Sequence, residues 1–152
     1  MDAHREIEFT VYLDQRPGEL AGVLEAAAAA GVDITSLATS EHRDRGCVRV
    51  LGRPVEGLRR VMESLVESGV GPVVEAEVIA VPIDGRPKLV RDITVAMADH
   101  RVNVRYCYLS PAAGDVPARA IFRFDDIEAA ERVFERLDWI GMAPRAEGES
   151  AA

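Results

Sequence analysis

Residues 14–37 read DQRPGELAGVLEAAAAAGVDITSL, and residues 84–107 read DGRPKLVRDITVAMADHRVNVRYC. A constant shift of 70 takes Asp14 to Asp84, Arg16 to Arg86, Pro17 to Pro87, Leu20 to Val90, Val23 to Ile93, Val32 to Val102, Ile34 to Val104 and Ser40 to Ser110. These are turn, helix-face and strand positions, where size and identity matter physically, so the chain is one structural unit written twice. Past Ser40 the shift becomes 72, pairing Val61 with Val133 and Leu65 with Leu137. The additional residues fall in PAAGDVPA, residues 111–118, a loop where an insertion displaces no core position.

Outward from the repeat, Ile7, Phe9, Val11 and Leu13 alternate with polar residues, predicting a half-buried strand over 6–13 that the turn at 14–18 breaks. Leu20, Val23, Leu24 and Ala27 then fall on one helical face, and Gly31 supplies a C-terminal stop. Strands follow at 32–40 and 46–51, joined by a polar loop at 41–45. A second helix starts near Pro54, with Leu58, Val61, Met62, Leu65 and Val66 inward. The strand at 73–83 runs into the second copy with no linker, so it closes one unit and opens the next. The second copy predicts a helix at 87–99, strands at 102–109 and 119–124, and a helix at 127–137 capped by Asp125 or Asp126. A short last strand at 139–142 is expected before a frayed tail at 143–152. The fold class is α+β: two ferredoxin-like βαββαβ units, 5–78 and 79–142, sharing the strand 73–83, with the helices on one face of antiparallel sheets. The other sheet face is bare unless something covers it.

Composition narrows the function classes. With 152 residues, 48% of them hydrophobic but only 5% aromatic, the core is aliphatic and poor in the rings that line base-stacking sites. A net charge of −8 disfavours nucleic acid and anionic membranes. The arginines at 43, 45, 59 and 60 read as solvated faces. Cys47 and Cys107 form no metal or redox spacing and suit a reducing cytoplasm. No signal-like or membrane-spanning apolar stretch is present in the sequence, and a cytoplasmic protein is expected.

The strand followed by DQRPGEL, an amphipathic helix and GVDITSL resembles the ACT domain, a small regulatory module of amino-acid biosynthetic enzymes. PIDGRPKLV and RVNVRYCYL are similar to a second, more divergent copy. The resemblance spans the chain up to the tail and matches stand-alone ACT-repeat proteins. It implies a small-molecule effector, an amino acid, bound near the turn after the first strand and against the start of the second strand of an adjoining unit. Those positions are Asp14, Gln15, Arg16, Pro17, Gly18, Glu19 and Leu20, with Asp33, Ile34 and Thr35, and in the second copy Asp84, Arg86, Asn103 and Val104. It also implies a homodimer and an enzyme partner, with no catalysis and no cofactor of its own.

Residue chemistry gives independent support to such a site, because a helix N-terminus holds a carboxylate and nearby aspartates accept from an amino group. The same turn is also what a strand-to-helix junction needs for its own geometry, and on residues alone both readings stand. Lys88 replaces Gly18 in the second copy, adding a cation and narrowing backbone approach unless Gly85 takes over the glycine's role. That makes the first turn the preferred site, and leaves the second either lost or suited to a more acidic effector.

Catalytic patterns are missing from the sequence. His4, in a disordered terminus, His42, in a loop, and His100, in a last helical turn, are too far apart for a helical metal pair. No phosphate-cradling loop or nucleophile elbow is present. Two alternatives remain: an interaction module docking through a sheet face and the 26–30 helix surface, or a small ferredoxin-like enzyme using Arg105, Asn103 and Arg86.

Overall fold

Alternation in the strands and one-sided periodicity in the helices produce ten elements among the described residues. They are β1 (His4–Asp14), α1 (Glu19–Ala29), β2 (Asp33–His42), β3 (Arg45–Arg53), α2 (Val55–Glu67), β4 (Val73–Pro82), α3 (Leu89–Asp99), β5 (Val104–Ser110), β6 (Arg119–Phe124) and α4 (Ile127–Glu135). The structure is a computed structural model, and it describes residues 2–83, 85–137 and 140. The strand expected at 139–142 and the tail at 143–152 therefore lie outside the described residues, Ile140 excepted.

The chain divides into two compact units: Ile7–Ala76, and the residues up to Glu6 together with those from Glu77 on. Both divisions fall inside strands, β1 and β4. In the first unit the strand order is β2-β3-β1, closed by residues 73–76 of β4. In the second it is β5-β6-β4, closed by residues 4–6 of β1. Each unit is thus a βαββα run plus a closing strand. In the second unit that strand comes from the start of the chain.

The copies agree at the level of register. Phe9 faces Val50 and Val11 faces Val48 in the first unit, and their shifted equivalents Ile79 and Val81 face Phe122 and Ala120. The β2–β3 ladder slips between Ile34 and Ser36, and the β5–β6 ladder slips between Val104 and Tyr106, at the same repeat position. Such coincidence requires the same sheet, because a one-residue slip would turn every side chain to the opposite face.

Within the first unit, Phe9, Val11, Leu13, Val48 and Val50 pack with Val23, Ala27, Leu58, Val61 and Met62, so both helices cover one sheet face. In the second, Ile79, Val81, Ala120, Phe122 and Phe124 pack with Leu89, Ile93, Met97, Ala130, Val133 and Phe134, and Ala3 joins this core. The alternate strand residues do not form a bare surface. Thr10 and Leu51 of the first unit are buried, as are Val78, Ala80 and Ile121 of the second.

Some local expectations change. The loop expected at 41–45 shrinks to a two-residue turn, with Arg43 in the left-handed region at φ 54°. His4 lies in β1 rather than in a disordered terminus, and His42 ends β2 with its ring edge-on to Tyr12. His100 caps α3 at its C-terminal end. Asp126, not Asp125, caps α4, accepting from the Ala129 amide at 2.9 Å. Gly31 ends α1 at φ 71°, and Arg101 fills the same place after α3 at φ 57° without being glycine.

Candidate functional site

The first turn is held by its own charges. After β1, the Arg16 amide donates to the Asp14 carbonyl at 2.9 Å, and the Arg16 guanidinium donates to the Asp14 carboxylate at 2.9 Å and to Glu19 at 3.2 Å. Arg45, opposite Asp14 in the ladder, lies 3.6 Å from the same carboxylate and donates to the carbonyls of Gly71 and Tyr12. Arg45 was not among the sequence-predicted residues; its register across from Asp14 is the signal that brings it in. Gln15 leans toward Gly46, its Oε1 being 4.0 Å from where a Cβ there would stand. Pro17 is exposed. Gly18 precedes α1 at φ 89°, a left-handed conformation that favours glycine, and no atom lies within 4 Å of where its Cβ would stand. The start of α1 is therefore open at its backbone, with Leu20 38% exposed beside it.

The second turn is built differently. Asp84 lies outside the described residues. Gly85 takes the left-handed conformation at φ 66°, three residues earlier than Gly18 in the repeat, while Lys88 sits directly before α3 at φ −94°. The Arg86 guanidinium donates to the carbonyls of Pro82 at 3.1 Å and Ile83 at 3.4 Å, which fixes it against the end of β4. Gly85, Arg86, Pro87, Lys88, Leu89 and Asp92 line an open depression of about 420 Å³. Lys88 and Asp92 are among its lining residues, together with Arg86, whose guanidinium is held on the Pro82 and Ile83 carbonyls. A carboxylate entering it would meet positive charge and the N-terminal end of a helix.

The strand-start residues lie away from the turns of their own unit. In the first unit α1 separates Gly18 from Asp33, and an 11-residue helix is about 16 Å long. Asp33 faces Arg53 at one end of the ladder, whereas the turn abuts Arg45 at the other. Ile34 is half-buried and Thr35 buried at the ladder irregularity. In the second unit Asn103 donates to Asp125 at 2.9 Å and Arg105 pairs with the same carboxylate at 3.0 Å, while Val104 faces Phe124. Neither unit by itself brings turn and strand start together. Arg86 and Asn103 also stand at opposite ends of α3, so the trio of Arg105, Asn103 and Arg86 does not converge. Among the described residues, no group of three or more His, Cys, Asp or Glu side chains is placed to hold a metal, and no helix is long and apolar enough to cross a membrane.

No protein-family model matches the chain, and no curated protein does. Solved structures do match. A Bacteroides thetaiotaomicron protein aligns over 90% of both chains at 17% identity with a TM-score of 0.71. The regulatory subunit of aspartate kinase from Thermus thermophilus aligns over 88% of this chain and 94% of its own at 16% identity and a TM-score of 0.58. The chain has the tandem ACT fold. Aspartate kinase from Synechocystis contains it as part of a larger chain, aligning over 94% of this chain and 28% of its own at 15% identity and a TM-score of 0.58. The fold is thus found both as a separate subunit and within a longer enzyme. At these identities the likeness is one of ACT architecture, and the effector is a matter for the site.

Proposed function

We propose that this chain is a regulatory protein without catalytic activity of its own, and that its effector is an amino acid held by its carboxylate at the turns before α1 and α3. The depression at Gly85, Arg86, Lys88 and Asp92 carries this reading: it combines free volume, two cations and a helix start in one place. The open Gly18 backbone offers a second place, where the nearby Arg16 is already paired with Asp14 and Glu19. Regulatory subunits of aspartate kinase share the fold, which supports a signalling rather than a chemical role. Because the strand-start residues lie away from the turns of their own unit, the full effector site uses another unit, and a pair of chains supplies it. Binding energy that depends on both partners then biases their packing, and a partner enzyme reads the change.

Thermal melting against each of the twenty amino acids tests this. A specific effector at 100 times its dissociation constant adds about 2.7 kcal/mol. Lys88→Glu is expected to abolish the shift if the second turn holds the carboxylate, and Gly18→Trp if the first does. A protein whose melting no amino acid moves is not an amino-acid sensor.

A further inference from the structure

In the second unit, Arg5 on the closing strand donates to Glu131 of α4 and to Glu77 of β4, with Glu128 at 3.5 Å. In the first unit the closing strand carries a carboxylate instead. Glu75 accepts from Arg59 of α2 at 3.2 Å, and Arg59 also pairs with Glu56. The repeat makes these the same positions: the shift of 70 relates Arg5 to Glu75, and the shift of 72 relates Arg59 to Glu131 and Glu56 to Glu128. Strand residue and helix partner have both reversed sign, while the flanking glutamate has not changed. A reversal at one position alone would set two like charges face to face, so the two positions are coupled.

Two units with one backbone register offer two similar sites for an extended closing strand, and two segments able to fill them. Residues 4–6 run directly into β1 and residues 73–76 into β4, so neither segment can close the unit it already runs into, but chains built from similar units misassemble by exchanging equivalent elements between copies. Backbone hydrogen bonds are the same for either strand and cannot discriminate. The side-chain charges can. A strand bearing Arg5 laid against α2 would meet Arg59 as well as Glu56, and a strand bearing Glu75 laid against α4 would meet Glu131 and Glu128, so the second mismatch is the more repulsive. We propose that these reversed ion pairs are a recognition code that matches each closing strand to its own kind of unit and opposes mispaired strand exchange between copies of the chain. Arg5 and Glu131 are 13% and 17% exposed, so the second unit's pair is the stronger discriminator; Arg59 and Glu75 are 30% and 41% exposed and contribute less. The residues act through placement of a strand and touch no effector turn.

Refolding of the full chain from denaturant over a range of protein concentrations tests the code. All variants carry Glu77→Gln, so that residue 5 answers only to α4. Three sets are compared: strand charges exchanged (Arg5→Glu with Glu75→Arg), strand charges removed (Arg5→Gln with Glu75→Gln), and the complete inversion, which adds Arg59→Glu and Glu131→Arg to the first set. Recovery of the wild-type assembly is read by size exclusion, and protection of residues 3–6 and 73–76 by hydrogen exchange. The exchanged set is expected to recover on the order of tenfold less of that assembly than the neutral set, with larger species growing as concentration rises. The complete inversion is expected to return to the neutral level or above. If the exchanged set equals the neutral set in recovery and protection, or if the inversion recovers no more than the exchanged set, there is no code and the ion pairs are ordinary surface contacts.

Discussion

The first unit ends α1 with Gly31 and begins it with Gly18, both in left-handed conformations; the second ends α3 with Arg101 and begins it with Lys88. Between those ends the ladders pair residue for residue, irregularity included. The backbone divergence is therefore confined to the turns that flank the helices. Core positions changed size, Val50 to Phe122 and Met62 to Phe134 for instance, without changing where they point. Geometry is kept by packing on both sides of an interior strand, whereas charge at a turn is kept only by whatever uses it.

The comparison is broken most forcefully in the cores. Phe122→Ala is expected to cost about 3–5 kcal/mol and Val50→Ala about 2 kcal/mol, measured by denaturant unfolding, since the aromatic ring leaves the larger cavity. Equal costs would mean that the two cores are not packed alike around their equivalent positions. A smaller effect separates the helix ends. Gly31→Ala is expected to destabilise by about 1 kcal/mol, because alanine at positive φ is strained, whereas Arg101→Gly is expected to stabilise by about 0.5 kcal/mol as strain relief outweighs the entropy of glycine. Opposite signs in urea titrations are the check.

The smallest expected effect concerns pH and belongs to one unit. The His4 imidazole is raised from its ordinary value, 6.5, by its hydrogen bond to Glu6 against the opposing burial and the Arg119 charge. For Glu6, burial works toward a higher value, but the His4 hydrogen bond and the Arg119 charge together hold it below the ordinary 4.5. A raised histidine stabilises fully below 6.5 and loses that contribution as pH rises through its folded value; a lowered carboxylate stabilises above 4.5 and loses its contribution as pH falls through its folded value. Stability of the second unit therefore declines on both sides of a window from about 4.5 to 6.5. His4→Gln is expected to flatten the alkaline side, as read by hydrogen exchange at β6. The equivalent positions in the first unit are Val74 and Ala76, which do not titrate, so β3 is expected to show neither change.

Legibility in the sequence followed the range of the forces involved. Alternation and helical spacing are local, so β1 through α4 emerge within a few residues of their true limits. The continuity of 73–83 is also local, since no turn residue interrupts it. The second unit's closing strand was not legible, because His4, Arg5 and Glu6 show no apolar alternation and their partners Glu77, Arg119 and Glu131 lie far along the chain. At the site, the turn residues and both left-handed glycines were readable from turn chemistry. The engagement of Asp14 by Arg45 and of Asn103 by Asp125 was not, because it depends on strand register. The depression beside Lys88 likewise depends on how Arg86 folds back onto the carbonyls of Pro82 and Ile83.

Ala3, fully buried among residues such as Ile79, Phe122 and Met97, gives the order of the gene a mechanical meaning. A cut between residues 78 and 79 does not yield a free-standing second half, since that fragment has left its last strand on the other piece. Recombination that transplants this module into a longer polypeptide must carry its first few codons along with its last helix, and a tag fused in front of Ala3 must leave the surface beside a packed interior.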